Sequence, residues 1–134
     1  MNENHRLAAA ARSLVGSPFK LHGRCAINGL DCVGLLALSL EMIGRASLAP
    51  TGYAFRNRTI DHWLPLASGA GLFEGQPPVR AGDVLLTHAG CQQHHILIAD
   101  SKNSVIHAHA GLRRVVHEPW RTGDRLRLLW RLAN

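Results

Sequence analysis

The sequence predicts an α+β domain, helices first and an antiparallel sheet second. Three observations carry this. Apolar helical patterns occupy the first third of the chain. Short branched or alternating runs, split by turn residues, fill the stretch after Gly82. No repeat, low-complexity tract or linker divides the 134 residues, so a single domain over 1–134 is expected. A chain of this length typically buries about two-thirds of its unfolded surface, enough for a core without staples.

Taken in order, Leu7 to Val15 reads as an alanine-rich helix. Gly16-Ser17-Pro18 ends it, because proline cannot continue the hydrogen-bond ladder and restricts the residue before it. Lys20 to Asp31 holds Gly23 and Gly29 among charges and reads as loop. From Cys32 to about Ile43 nearly every residue is apolar, the mark of a buried helix, and Gly44-Arg45 supplies its C-terminal cap. Residues 46–81 lack periodicity and read as a long irregular region with one short helix near Ile60 to Leu66. Five strands are expected after that: Val84 to Thr87, His94 to Ala99, Ser104 to His109, Arg113 to His117 and Arg125 to Leu132. In the last, Leu126, Leu128, Trp130 and Leu132 fall on one face and Arg125, Arg127 and Arg131 on the other.

Composition narrows the function classes. With 46% hydrophobic and 18% charged residues, wholesale disorder is excluded. Fifteen basic against nine acidic residues give a net charge of +6 and a pI near 10.3, which suits an acidic partner without choosing one. Arg113, Arg114, Arg121, Arg125, Arg127 and Arg131 crowd the last 22 residues. There is no nucleic-acid motif and no pattern of stacking aromatics, so a solvated sheet face is the better reading and no nucleic-acid partner is expected. The most apolar stretch, Val33 to Ile43, is too short to insert in a bilayer. The opening Met-Asn-Glu-Asn-His-Arg lacks the apolar core of a secretory signal. Synthesis and folding in the cytosol are expected, with any extracellular work needing another route of delivery.

Three cysteines, Cys25, Cys32 and Cys91, cannot all pair within one chain, so an unpaired thiol is a candidate nucleophile. In Asp31-Cys32-Val33-Gly34 a cysteine stands where a loop gives way to a buried helix. Unpaired N–H groups and the helix dipole favour a thiolate there, which makes Cys32 the expected reactive thiol of the three. The bland alternative is that Cys32 is a small buried hydrophobe. Gly34 removes a side chain one step on and leaves room for another element or a substrate.

A nucleophilic thiol needs a base, and the base an orienter. His94, His95, His107 and His109 lie on two neighbouring expected strands. If Asp100-Ser101-Lys102 forms the turn, Ala99 opposes Asn103 and His95 opposes His107, with Cβ atoms about 5 Å apart. A two-residue turn would pair His94 with His109 instead. The cluster could also hold zinc, but apart from Cys91 no carboxylate or cysteine stands at a ligand-like spacing. His94 and His109 are read as exposed strand residues without a role.

Together these segments resemble the NlpC/P60 family of papain-like cysteine peptidases. Gly16-Ser17-Pro18-Phe19 is similar to the family's Gly-x-Pro-Tyr, and Leu30-Asp31-Cys32-Val33-Gly34-Leu35-Leu36 to its Asp-Cys-Ser-Gly-Leu-Val. Arg80-Ala81-Gly82-Asp83-Val84-Leu85 resembles its Pro-Gly-Asp-Leu-Val turn. His95-Ile96-Leu97-Ile98 resembles the strand that opens with the base, and Val105-Ile106-His107-Ala108 the strand that bears the third member. The step of twelve residues from His95 to His107 agrees with the family pattern and selects the three-residue turn.

The resemblance covers roughly Val15 to Val116. It implies the NlpC/P60 fold, with the nucleophile helix packed on an antiparallel sheet of about five strands. It implies a Cys32–His95–His107 triad, no metal or other cofactor, and hydrolysis of peptide bonds in the stem peptides of bacterial peptidoglycan. The compact form looks most like members encoded in phage and prophage tail regions, with tail proteins as partners. Phe19 departs from the family's Tyr and cannot donate a hydrogen bond. His22 and Tyr53 are candidate substitutes for it at the substrate site. The rival reading is a catalytically silent tail component of the same fold.

Overall fold

The structure is a computed structural model that describes residues 2–45, 69–88, 94–120 and 126–132. The first helix, α1, runs Glu3–Ser13, earlier than its apolar pattern suggests. Asn2 sets the start, its side chain accepting the N–H of His5 at 2.9 Å and satisfying one of the unpaired first-turn donors. Leu7, Ala10 and Ala11 turn inward, and the small alanines let α1 lie close to its neighbours.

The expected loop before Cys32 contains a small antiparallel ribbon of β1 (Arg24–Cys25) and β2 (Gly29–Leu30). The second helix, α2, spans Cys32–Met42 as expected and buries Val33, Leu35, Leu36 and Leu40. Gly44 follows with φ +86°, the left-handed conformation that closes helices. The short helix expected near Ile60 to Leu66 lies outside the described residues.

Among the described residues the sheet has six strands rather than five. They are β3 (Leu72–Glu74), β4 (Val84–His88), β5 (His94–Ser101), β6 (Ser104–His109), β7 (Arg114–Pro119) and β8 (Leu126–Leu132), in the order β3-β8-β4-β5-β6-β7. Every pairing is antiparallel. The extra strand, β3, is an edge of three residues in which only Leu72 is buried, too short for alternation to reveal. The last strand does not close the meander. It runs back between β3 and β4, and Asn4 of α1 clamps it by exchanging hydrogen bonds with both the N–H and the carbonyl of Leu132.

One sheet face meets the helices. Val84, Leu86, Ile96, Ile98, Ile106, Ala108, Val115, Trp130 and Leu132 pack there against Leu7, Leu30, Val33, Leu36 and Leu40. The opposite face carries a smaller cluster of Leu85, Leu97, Val105 and Leu129, joined by Val79, Trp120 and Leu126. The place of Leu126 departs from the alternation expected for the last strand. The pairing of β4 with β8 slips between Leu86 and Thr87, leaving Arg127 as an extra residue, so Leu126 before it and Leu128 after it face opposite sides of the sheet. The arginine face is also less solvated than its sequence suggests. Arg131 donates from Nε and a terminal nitrogen to the buried carboxylate of Asp83, at 2.8 and 2.7 Å. Among the described residues no helix is long and apolar enough to cross a membrane.

Candidate active site

The site begins at the start of α2. Asp31 caps the helix, its Oδ1 accepting the N–H of Gly34 at 2.8 Å and a guanidinium N–H of Arg24 at 3.1 Å. Its Oδ2 accepts the N–H of His22 at 2.8 Å, which holds His22 exposed with φ +64°. One carboxylate thus ties the ribbon and its approach to the residue before Cys32. Gly34 makes room for an element of the fold, not for open space: a Cβ at this position would lie 1.9 Å from the carbonyl oxygen of Gly23.

The preceding segment is strapped in place as well. The N–H of Phe19 donates to the carbonyl of Arg113 at 2.9 Å, and that of Leu30 to the carbonyl of Pro18, also at 2.9 Å. Phe19 is half-buried, with its ring against the main core. Tyr53 and Cys91 lie outside the described residues, as does the side chain of His94.

Cys32 lies against β5. Its thiol receives the main-chain N–H of Ile96, the residue that follows His95, together with those of Val33 and Cys32 itself. Even so, burial pushes the thiol up to about 12, and the neighbouring Asp31 carboxylate adds to the rise. This reverses the expectation that the helix dipole makes Cys32 the most acidic thiol. Cys25 is exposed, and the N–H groups of Asn28 and Ile27 hold its thiol below the usual range.

His95 and His107 are joined directly, Nε2 to Nδ1 at 2.8 Å, with ring planes at 85°. The route to this contact differs from the expected hairpin. Ala99 pairs with Val105 and Ser101 with Ser104, with a bulge between Ala99 and Ser101, so the turn falls on Lys102 and Asn103. The Asp100 carboxylate at the bulge is engaged by Arg12 of α1 and by His117 of β7. The shifted register makes His95 and His107 diagonal rather than opposite neighbours, still within reach of long side chains.

The chain of contacts continues beyond the expected residues. Nε2 of His107 meets Oε1 of Glu118 at 2.5 Å, again along a diagonal, since His107 pairs with Val116 on β7. Sequence reasoning passed over Glu118. Its signal was the alternation of Arg114, Val116 and Glu118, which becomes legible only once the turn before β7 is placed. His109 acts locally, its Nδ1 accepting the N–H of Leu112 at 3.0 Å and pinning that turn.

Burial drives His95 down to about 3, with His107 and His109 adding to the fall. His107 is lowered by burial too, while Glu118 pulls the other way. Near neutral pH both imidazoles and the Cys32 thiol are therefore uncharged. Among the described residues no hydrogen bond joins the thiol to either ring, and no group of three or more His, Cys, Asp or Glu side chains is arranged to hold a metal ion.

No protein-family model matches the chain, and no curated protein matches it in sequence. Solved structures do match. The NlpC/P60 domain of the peptidoglycan hydrolase SagA aligns over 98% of this chain and 100% of its own, with a TM-score of 0.68 at 20% identity. NlpC2 from Trichomonas vaginalis aligns over 97% of this chain and 47% of its own, with a TM-score of 0.71 at 16% identity. An NlpC/P60 family protein from Bacillus cereus aligns over 96% of this chain and 39% of its own, with a TM-score of 0.69 at 17% identity. This chain spans less than half the length of the last two. It has the NlpC/P60 fold.

Proposed function

We propose that the chain is a cysteine peptidase that hydrolyses peptide bonds in the stem peptides of bacterial peptidoglycan. One observation carries this reading. The thiol at the head of α2 is seated on the N–H of Ile96, next in sequence to a histidine whose ring is tied to a second histidine. The fold, shared with a domain described as a peptidoglycan hydrolase, supports it.

In this reading His95 accepts the proton of Cys32 as sulfur attacks the peptide carbonyl, because the resting pair is uncharged. The main-chain N–H of Cys32 and a second donor stabilise the oxyanion, with His22 and Tyr53 as candidates for the second. Collapse forms a thioester, and His95 returns the proton to the leaving amine nitrogen. Water, deprotonated by His95, then adds to the thioester. Release of the carboxylic acid regenerates the thiol. His107 holds the ring of His95, and no metal is needed. A phage or prophage tail setting, with tail proteins as partners, belongs to this reading.

A second reading, a catalytically silent tail component, is favoured by two observations: Phe19 offers no hydroxyl, and the Cys32 thiol sits near 12. Mass spectrometry of purified muropeptides after incubation with the wild type and Cys32→Ala separates the two. New stem-peptide fragments from the wild type alone support the peptidase. Identical spectra from both proteins support the silent component. In the active case His95→Ala abolishes turnover, His107→Asn keeps part of it, and His109→Ala is mild.

A further inference from the structure

His107 is bonded at both ring nitrogens, to His95 at 2.8 Å and to Glu118 at 2.5 Å. A neutral imidazole has one N–H and one lone pair, so these two contacts cannot be assigned independently. A carboxylate can only accept. The proton between His107 and Glu118 therefore belongs to Nε2 of His107. Its Nδ1 is then a lone pair and must accept from Nε2–H of His95. That leaves Nδ1 of His95 as the basic nitrogen. The direction of the whole chain is set at its outer end, where Glu118 is half-exposed and its partner ring is buried.

We propose that Glu118 is a positioning residue: its carboxylate fixes both imidazoles as Nε2–H tautomers, so that His95 presents the lone pair of Nδ1 as the base. The catalytic consequence rests on the peptidase reading above; the assignment of tautomers does not. In the reaction the Cys32 proton moves to Nδ1 of His95 and the sulfur–carbon bond forms. The imidazolium charge on His95 is then stabilised through Nε2–H, His107 and the Glu118 carboxylate, with no second proton transferred. When the carbon–nitrogen bond breaks, the Nδ1 proton leaves with the amine. Without the carboxylate, His107 can equally well carry its proton on Nδ1. It would then donate towards His95 and force the proton of His95 onto the nitrogen that should take the thiol proton.

The test is nitrogen-15 NMR of the full chain labelled at histidine, at neutral pH, alongside kinetics on muropeptides. The wild type should show Nε2–H tautomers at His95 and His107. Glu118→Leu should lose the single tautomer at His107 and lower kcat by about 10–100-fold, the usual scale for an outer supporting partner, with KM unchanged. Glu118→Gln keeps an acceptor oxygen without the charge and should restore the tautomer and part of kcat. A protonated Nδ1 at His107 in the wild type, or an unchanged spectrum in Glu118→Leu, overturns the proposal whatever the kinetics show. The expected spectra in a wild type that cleaves no muropeptide would support the tautomer assignment and count against the peptidase reading instead.

Discussion

Replacing Gly34 by alanine sets two effects of opposite sign against each other. Judged as a helix residue, glycine is the poorer choice, and alanine gains roughly 0.5–1 kcal/mol. Judged in place, the new methyl carbon would sit 1.9 Å from the carbonyl oxygen of Gly23, where real contacts essentially never fall below 3.0 Å. One of the two backbones must give way by about 1.1 Å. The ribbon cannot absorb this easily, because a Cβ on Gly23 would itself lie only 2.2 Å from the carbonyl oxygen of Gly29. Asp31 also ties Arg24 and His22 to the same helix end. Overpacking of this kind costs about 1–3 kcal/mol, so Gly34→Ala should be destabilised by about 1–2 kcal/mol net. Urea unfolding should show a lower midpoint at an unchanged slope. Because the displacement falls two residues from Cys32, its thiol should also react faster with iodoacetamide. A variant as stable as the wild type, with Cys32 equally slow, would refute the idea that Gly34 exists to admit the Gly23 carbonyl.

Other expectations follow from the burial and charge of single groups. Arg131→Met leaves the fully buried Asp83 carboxylate without its guanidinium and should cost about 3–5 kcal/mol in thermal or urea unfolding; adding Asp83→Asn should recover part of the loss, and no recovery would argue against the charge as the cause. In the resting protein, iodoacetamide near neutral pH should label Cys25 ahead of Cys32, read by peptide mapping, since one thiol is exposed and lowered and the other is pushed up; the opposite order would contradict the derived balance of burial against the helix end. For His95, the unfolded chain binds a proton below the ordinary value of 6.5, whereas the folded chain excludes it down to about 3. Stability should therefore fall as pH drops through this window and level off beneath it, and His95→Gln should flatten the fall in urea midpoints measured from pH 7 to 4.

Much of this protein is legible in the order of its amino acids. The stretch between Asp31 and Gly44, polar only at Ser39 and Glu41, reads as a buried helix, so local pattern alone puts Cys32 at a helix head. The alternating runs after Gly82 mark the strands, because period-two burial is a local property. Neighbouring histidine strands joined by a short turn have to come close, and His95 and His107 do. Register and environment are different, because they depend on residues distant in the chain. The bulge at Asp100 is held by Arg12 and His117, from another helix and another strand, and it turns an opposed histidine pair into a diagonal one. The same long-range pairing brings Glu118 to His107 and slides β8 between β3 and β4. The acidity of Cys32 reverses sign for the same reason. A helix end is visible in one dimension, but the desolvation that outweighs it comes from everything packed around the thiol.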